Sequence, residues 1–223
     1  MQTIRNIYTL LLATMCYLCH ADANAQNGYN KLSLAFESRR ATYESDPTDV
    51  TKGLSVSYMR GIHLLKTKPL LMEYGAKMAW THSVRKEGWL SVSTIKTDFL
   101  TLSLPVNLTY KFRLFRGNLD LAPLTGPNFK FNLIGSSRSR ADEEGEDLNW
   151  STNYLSRDAY SPANIFQFGW NIGVMLSHGP FSLGYTLTYD FTPYADSLLE
   201  GHGKLGGGEI KIACHSLAVG YQF

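Results

Sequence analysis

The feature that most constrains the fold of this chain is a long-range alternation of apolar and polar residues. Between residues 70 and 80 the odd positions include Glu73, Gly75 and Lys77, whereas the even positions are Leu70, Met72, Tyr74, Ala76, Met78 and Trp80. Because successive side chains of a β-strand point to opposite faces, this period predicts a strand with one apolar and one polar face. The same alternation recurs in residues 100–110, 166–176, 181–191 and 217–223.

Three weaker segments bring the predicted number of strands to eight. Residues 30–36 and 54–62 alternate over a shorter length, and residues 119–133 alternate around Pro123 and Pro127. Proline and glycine disturb the interior of a strand, so we predict a bulge or bend in the middle of the third segment.

The composition of the polar face indicates which environment the strands occupy. A face turned to water usually carries about 25–35% charged residues. Here Glu73, Lys77 and Asp190 are the only charged residues on the polar face of the five clear segments, and the apolar face has none. Small polar side chains suit a narrow lumen, and an uncharged apolar face suits lipid. We therefore predict an all-β fold, an eight-stranded antiparallel up-and-down transmembrane β-barrel.

The predicted connections alternate between long and short, which is typical of barrels in the bacterial outer membrane. The short connections are 63–69, 113–118 and 178–180, and the long ones are 37–53, 82–96, 135–164 and 192–209. An even number of strands places both termini on the rim with short turns, which we expect to face the periplasm. A chain of 223 residues is too short for a wide channel, since porin-like lumens need about 16 strands.

The first 25 residues have the pattern of a secretory signal peptide. Arg5 precedes an apolar run, and Ala23-Asn24-Ala25 matches the small-x-small pattern that signal peptidase cleaves. We therefore divide the chain into a signal peptide, residues 1–25, and a barrel domain, residues 26–223. Two of the three cysteines lie in the first segment, so a disulfide within the mature chain is excluded.

The last strand ends in an alternating tail with an aromatic final residue. Leu217, Val219, Tyr221 and Phe223 resemble the signal that the outer-membrane barrel assembly machinery recognises. With residues 53–58 and 104–110, this tail makes the mature chain resemble the outer-membrane β-barrel family of Bacteroidetes, and more distantly the transmembrane domain of OmpA and OmpX. The resemblance implies a monomer in the outer membrane of a Gram-negative bacterium, in contact with lipid and lipopolysaccharide. It implies no single function, because this fold carries many.

The first candidate site is the lumen charge cluster Glu73, Lys77 and Asp190. Glu73 and Lys77 lie four residues apart on one strand and so share its inward face. Buried charges need partners, so we interpret the cluster as an ion-pair plug, which Lys31 and Glu37 of the first strand can join. The alternative is a gate in a narrow pore or transport-associated barrel.

The second candidate site lies in the longest connection. We predict a loop interaction surface for an extracellular protein or glycan, formed by Asp142, Glu143, Glu144, Trp150 and Tyr154. A solvated loop without a ligand is the simpler alternative. Weak binding of a divalent cation by the acidic run is a further one, although its spacing does not match an EF-hand.

These patterns favour a structural or surface-interaction protein. A formal net charge of +2 leaves no basic excess for nucleic acid. No histidine is followed two residues later by a serine, the spacing that would place a base and a nucleophile on one face of a strand. A lipid-modifying enzyme is therefore the second alternative, and we predict no catalytic residue, cofactor or metal.

Overall fold

Ten β-strands make up the described part of the chain, and all of them belong to one sheet. The computed structural model describes residues 28–43, 46–65, 69–87, 93–114, 119–141, 150–153, 155, 164–193 and 210–223. The strands are β1 (Gly28–Tyr43), β2 (Asp46–His63), β3 (Leu70–Glu87), β4 (Ser93–Tyr110), β5 (Phe112–Leu114), β6 (Leu119–Ala141), β7 (Trp150–Asn153), β8 (Phe166–His178), β9 (Phe181–Asp190) and β10 (Ile210–Gln222). No helix in these ranges has the length and hydropathy needed to cross a membrane.

The sheet closes on itself. Antiparallel pairing runs in the order β4-β3-β2-β1-β10-β9-β8-β6, and pairing of β4 with β6 joins the two ends. β5 continues β4 beside the same neighbour, since Thr109 pairs with Leu124 and Phe112 with Leu121. β7 pairs with the outer end of β6. The closed barrel therefore has eight strands, which confirms the predicted fold class.

The pairing register gives the tilt of the strands. We follow the paired residues from strand to strand once around the barrel, starting at Thr125 on β6. The path passes His215 on β10 and Lys52 on β2 and returns to β6 at Ser136. The offset is the 11 positions between Thr125 and Ser136, and one of these is the bulge residue Leu133. An eight-stranded barrel with this offset has strands tilted by roughly 40° to its axis.

The polar face of the strands lies inside the barrel and the apolar face outside. Glu73 and Asp190 are at most 1% exposed, whereas Leu34 and Leu183 are about half exposed. Four large apolar side chains of the described residues also turn inward and are buried, namely Met59, Leu71, Leu124 and Met175. A chain that turns its apolar side chains outward on all sides requires an apolar surrounding medium. The exterior therefore has the character of a lipid-facing surface.

Three predicted long connections are wrong in their bounds, because strands extend into them. Within residues 135–164, β6 continues to Ala141 and β7 covers Trp150–Asn153. β1 continues to Tyr43 and β2 begins at Asp46, although residues 37–53 were predicted to be a connection. β3 and β4 extend in the same way to Glu87 and from Ser93 within residues 82–96. The apolar alternation stops in these outer ends because both faces of a strand that projects beyond lipid meet water.

The predicted bulge in the middle of residues 119–133 is also wrong. β6 keeps one register with β8 from Asp120 to Phe131, through both prolines. The register shift against β4 falls instead at Leu133. A Cβ atom on Gly126 would overlap the carbonyl oxygen of Val106, so glycine allows β6 and β4 to lie close together here.

The outward apolar face predicts a position-dependent cost for a charge. We expect Leu34→Arg to lower the free energy of unfolding in phospholipid vesicles by about 2–4 kcal/mol, because Leu34 lies in the middle of the apolar band. Val84→Arg is the matched control, since Val84 is equally exposed but lies on the outer end of β3. Denaturant titration of the refolded variants measures both costs, and equal costs would contradict a bilayer centred on Leu34.

Candidate functional site

Within the described ranges, three ion pairs lie in the interior of the barrel. The first lies towards the rim with the chain termini, where Lys31 Nζ donates to both carboxylate oxygens of Glu73 at 3.0 Å. Tyr29 donates a further hydrogen bond to Glu73, and Lys31 Nζ lies 3.3 Å from the sulfur of Met175. Since β2 separates β1 from β3, this pair links two strands that are not neighbours. It therefore reaches across part of the lumen.

The second pair is centred on Glu37, which is fully buried. Its carboxylate accepts hydrogen bonds from Lys77 at 3.1 Å, Ser55 at 2.5 Å, Ser216 at 3.0 Å and the Cys214 thiol at 2.8 Å. These donors come from β2, β3 and β10. Three of these donors bond to Oε1 and the thiol bonds to Oε2, so both oxygens of the buried carboxylate have protein partners.

The third pair joins Lys130 on β6 to Asp190 on β9, with N–O distances of 2.7 and 2.9 Å. Both side chains are buried. Arg39 adds a cation to the interior, and its Nη1 donates to Thr101 Oγ1 at 2.9 Å. A buried pair of this kind is stable when neither partner is left alone.

Amide and hydroxyl groups fill much of the space between the ion pairs. Asn171 Nδ2 donates to Asn107 Oδ1 at 3.0 Å, and Thr188 donates to Asn171 Oδ1 at 2.7 Å. A cavity of about 90 Å³ is lined by these residues together with Lys31, Glu73 and Lys77. Its wall includes Asn128, whose buried Oδ1 has no partner among the described residues. The volume is large enough for water molecules, which would satisfy such a group.

The three charged residues singled out from the sequence all point inward, but each belongs to a different pair. Glu73 and Lys77 are separated by about 13 Å along β3, and they bond to Lys31 and Glu37 on β1 instead of to each other. The sequence reasoning missed Lys130 as the partner of Asp190. Its signal was present, since Lys130 alternates with Phe129 and Phe131 in the weaker segment 119–133.

The residues of the predicted assembly signal form the outward face of β10 and the chain end. Leu217, Val219, Tyr221 and Phe223 are each about half exposed. The Tyr221 ring contacts the ring of Phe181 on β9, with centroids 5.6 Å apart.

The predicted loop interaction surface is largely outside the described residues. Four of its five residues lie outside the described part of the chain, namely Asp142, Glu143, Glu144 and Tyr154. Trp150 is the first residue of β7, and its backbone pairs with Ser139 on β6.

One outward-facing polar contact bears on the enzyme alternative. The register places Ser38 on β1 opposite His215 on β10, so a hydroxyl and an imidazole are neighbours on the apolar face. His215 Nδ1 lies 2.6 Å from the hydroxyl of Tyr185, and no hydrogen bond within the described ranges joins His215 to Ser38. The pair is therefore not assembled as a base and nucleophile. Within those same ranges, no group of three or more His, Cys, Asp and Glu side chains could hold a metal ion.

Comparison with known proteins identifies similar solved structures of low sequence identity. No protein-family model and no curated protein matches the chain. Ail, the attachment invasion locus protein of Yersinia pestis, in complex with the heparin analogue sucrose octasulfate, is 16% identical with a TM-score of 0.48, over 89% of this chain and 100% of Ail. Neisserial surface protein A is 13% identical with a TM-score of 0.45, over 87% and 97% of the two chains. A major outer membrane protein from Thermus thermophilus is 15% identical with a TM-score of 0.45, over 86% and 99%. The fold assignment comes from the closed strand pairing of the chain itself.

The buried carboxylate of Glu37 predicts a large loss of stability when its charge is removed. We expect Glu37→Gln to lower the free energy of unfolding by about 3–5 kcal/mol, because Lys77 is left as a buried unpaired charge. Asp120→Asn is the control, since Asp120 pairs at 3.8 Å with the exposed Arg113 on the short-turn rim. That change should cost at most about 1 kcal/mol. Equal losses in denaturant titrations would show that the interior pair is not structurally special.

Proposed function

We propose that this chain is an integral outer-membrane β-barrel with a structural or surface-interaction role, a plugged polar lumen and its interaction sites at the outer rim. The observation that carries the proposal is the set of three interior ion pairs, Lys31–Glu73, Lys77–Glu37 and Lys130–Asp190. Each pair fills part of the lumen cross-section with groups that bond to one another. The interior is then occupied by protein and offers no wide path for solute.

Placement in an outer membrane is supported by the apolar exterior and by the direction of the chain. Both described ends of the chain lie on the rim that carries the short turns, His63–Leu70 and His178–Phe181, as in barrels with a periplasmic short-turn rim. Export by the signal peptide at residues 1–25 and recognition of the C-terminal tail by the assembly machinery belong to the same proposal. The protein then acts as a monomer in contact with lipid and lipopolysaccharide.

The outer rim is the part of the barrel that is free to meet a partner. The β1–β2 and β3–β4 hairpins extend beyond the apolar band, and β7 adds a further strand beside the outer end of β6. Paired backbone makes these projections stiffer than loops of the same length. We propose an extracellular protein or glycan as the partner, with residues 142–144, Trp150 and Tyr154 as the first candidates for its contact surface.

A narrow pore is the second candidate function, and the interior cavity favours it. Charged and amide side chains, among them Lys31, Glu73 and Lys77, form part of its lining. Rearrangement of the ion pairs around it would be needed for an ion to pass.

Single-channel recording in planar bilayers separates the two functions. We expect the wild-type barrel to be electrically silent, because all three ion pairs obstruct the lumen. Glu73→Gln should stay silent as well, since it leaves the two other pairs in place. The matched control is the exchanged variant Lys31→Glu with Glu73→Lys, which keeps the pair and reverses its direction.

Folding must be verified in each bilayer sample. A folded barrel migrates differently before and after boiling on a detergent gel. A gated pore would be the better account if the wild-type barrel conducts reproducibly, Glu73→Gln changes that conductance and the exchanged variant leaves it unchanged. Identical migration of boiled and unboiled wild-type protein would contradict the barrel itself.

The C-terminal tail predicts an assembly defect. We expect Tyr221→Ala with Phe223→Ala to reduce the amount of protein in the outer membrane several-fold, because the aromatic end of the tail is lost. Tyr189→Ala with Phe191→Ala is the control, since these rings are also exposed and in contact, with centroids 5.9 Å apart. Quantification in isolated outer membranes measures the effect, and equal levels of the two double variants would remove the assembly role of the tail.

A further inference from the structure

Three cations project from neighbouring strands at one edge of the apolar exterior. Arg40 on β1 and Lys52 on β2 are exposed and alternate with outward residues such as Phe36 and Leu54. Lys211 on β10 lies in the same phase as the outward Leu217. We call Arg40, Lys52 and Lys211 the outer cation row.

The register places these three residues in a diagonal line. Lys211 pairs with Thr42, two positions from Arg40, and Arg40 pairs with Val50, two positions from Lys52. Diagonal neighbours in a sheet lie about 7–8 Å apart. Because the strands tilt by roughly 40°, the diagonal nearly follows the circumference, and the height along the barrel axis changes by only about 2 Å from one cation to the next.

The outer cation row lies directly above the apolar band. Below it, Phe36 follows Arg40 after one outward serine and Leu54 is the next outward residue after Lys52, and both are about half exposed. Val50 and Val84 lie above the row, on the outer side, and belong to the projecting hairpins. In a bilayer centred on Leu34, the row therefore lies at the level of the outer-leaflet head groups, where lipid phosphates concentrate.

The two exposed cations of this row, Arg40 and Lys52, have no carboxylate partner among the described residues, whereas the neighbouring His82 contacts Asp98 at 2.9 Å. Like charges on adjacent strands destabilise a sheet, so Arg40 and Lys52 gain stability when an anion lies between them. Guanidinium and ammonium groups together suit phosphate oxygens, which accept paired and single hydrogen bonds.

We propose that the outer cation row binds the phosphate groups of an outer-leaflet lipid of the lipid A type. This inference depends on the proposed outer-membrane location, but it concerns neither the loops nor the lumen. Arg40 and Lys52 hold one phosphate between them, and the acyl chains of the lipid lie along Phe36 and Leu54. Such a lipid would fix the depth of the barrel in the bilayer, with the projecting hairpins above the head groups.

The test is a titration of the folded full-length mature barrel, in zwitterionic detergent, with purified diphosphoryl lipid A. Native mass spectrometry measures the bound fraction. We expect Arg40→Gln with Lys52→Gln to weaken binding about tenfold or more, as for the loss of charge-assisted contacts to phosphate. The matched control is Lys96→Gln with Arg138→Gln, which removes two exposed cations that face each other on β4 and β6, further from the apolar band. The control should change binding less than about twofold.

A second titration uses lipid A from which both phosphates have been removed. Wild-type protein and the Arg40, Lys52 variant should then bind equally, because the acyl contacts remain. Unchanged binding of diphosphoryl lipid A to that variant, or an equal loss in the control, would overturn the proposed site. A barrel that conducts ions but still binds lipid A in this way would contradict the plug and leave the lipid site intact.

Discussion

The structure depends on closure of its sheet, because lipid cannot supply partners for backbone N–H and C=O groups. Pairing of β4 with β6 and of β1 with β10 leaves no spanning edge strand open. Closure with eight tilted strands in turn fixes a narrow interior, and a narrow interior admits mainly Gly, Ser, Thr, Asn and a few longer side chains. The apolar exterior and the polar core are therefore two consequences of the same constraint.

Charges in such an interior are costly unless every one of them has a partner. Three pairs satisfy this requirement for six interior charges by linking strands that are not adjacent, as Lys31 does on reaching Glu73, and Arg39 bonds to the Thr101 hydroxyl. Glu37 also links several strands, since its carboxylate accepts hydrogen bonds from donors on three other strands. Cross-links of this type brace the barrel and fill it. The function proposed above places interaction with other molecules at the outer surface, where the projecting hairpins and the outer cation row lie.

The alternation of side chains was sufficient to predict the eight strands and their inward faces, since the period-2 signal is strong wherever one face meets lipid. It could not reveal the outer ends of β1 to β4, because Arg39 and Arg40 are both polar and mark no face. Pro123 and Pro127 suggested a bulge in the middle of β6. The structure has its bulge at Leu133 instead, because Leu100 pairs with Ile134 and the next residue, Thr101, pairs with Asn132. The partner of each interior charge depends on register between distant strands. For that reason the sequence placed Glu73 and Lys77 inside the barrel, but it could not show that Glu73 pairs with Lys31 and Lys77 with Glu37.

The inside-out arrangement is tested most directly by spin labels at successive positions of β9, residues 182 to 187, in a Cys214→Ser background reconstituted into lipid vesicles. Labels at Leu183, Tyr185 and Leu187 should collide readily with oxygen, which dissolves in lipid, and labels at Ser182, Gly184 and Thr186 should be protected from it. Oxygen accessibility with the opposite phase, or uniform access of a water-soluble nickel reagent to all six positions, would contradict a barrel that turns its apolar face to the bilayer.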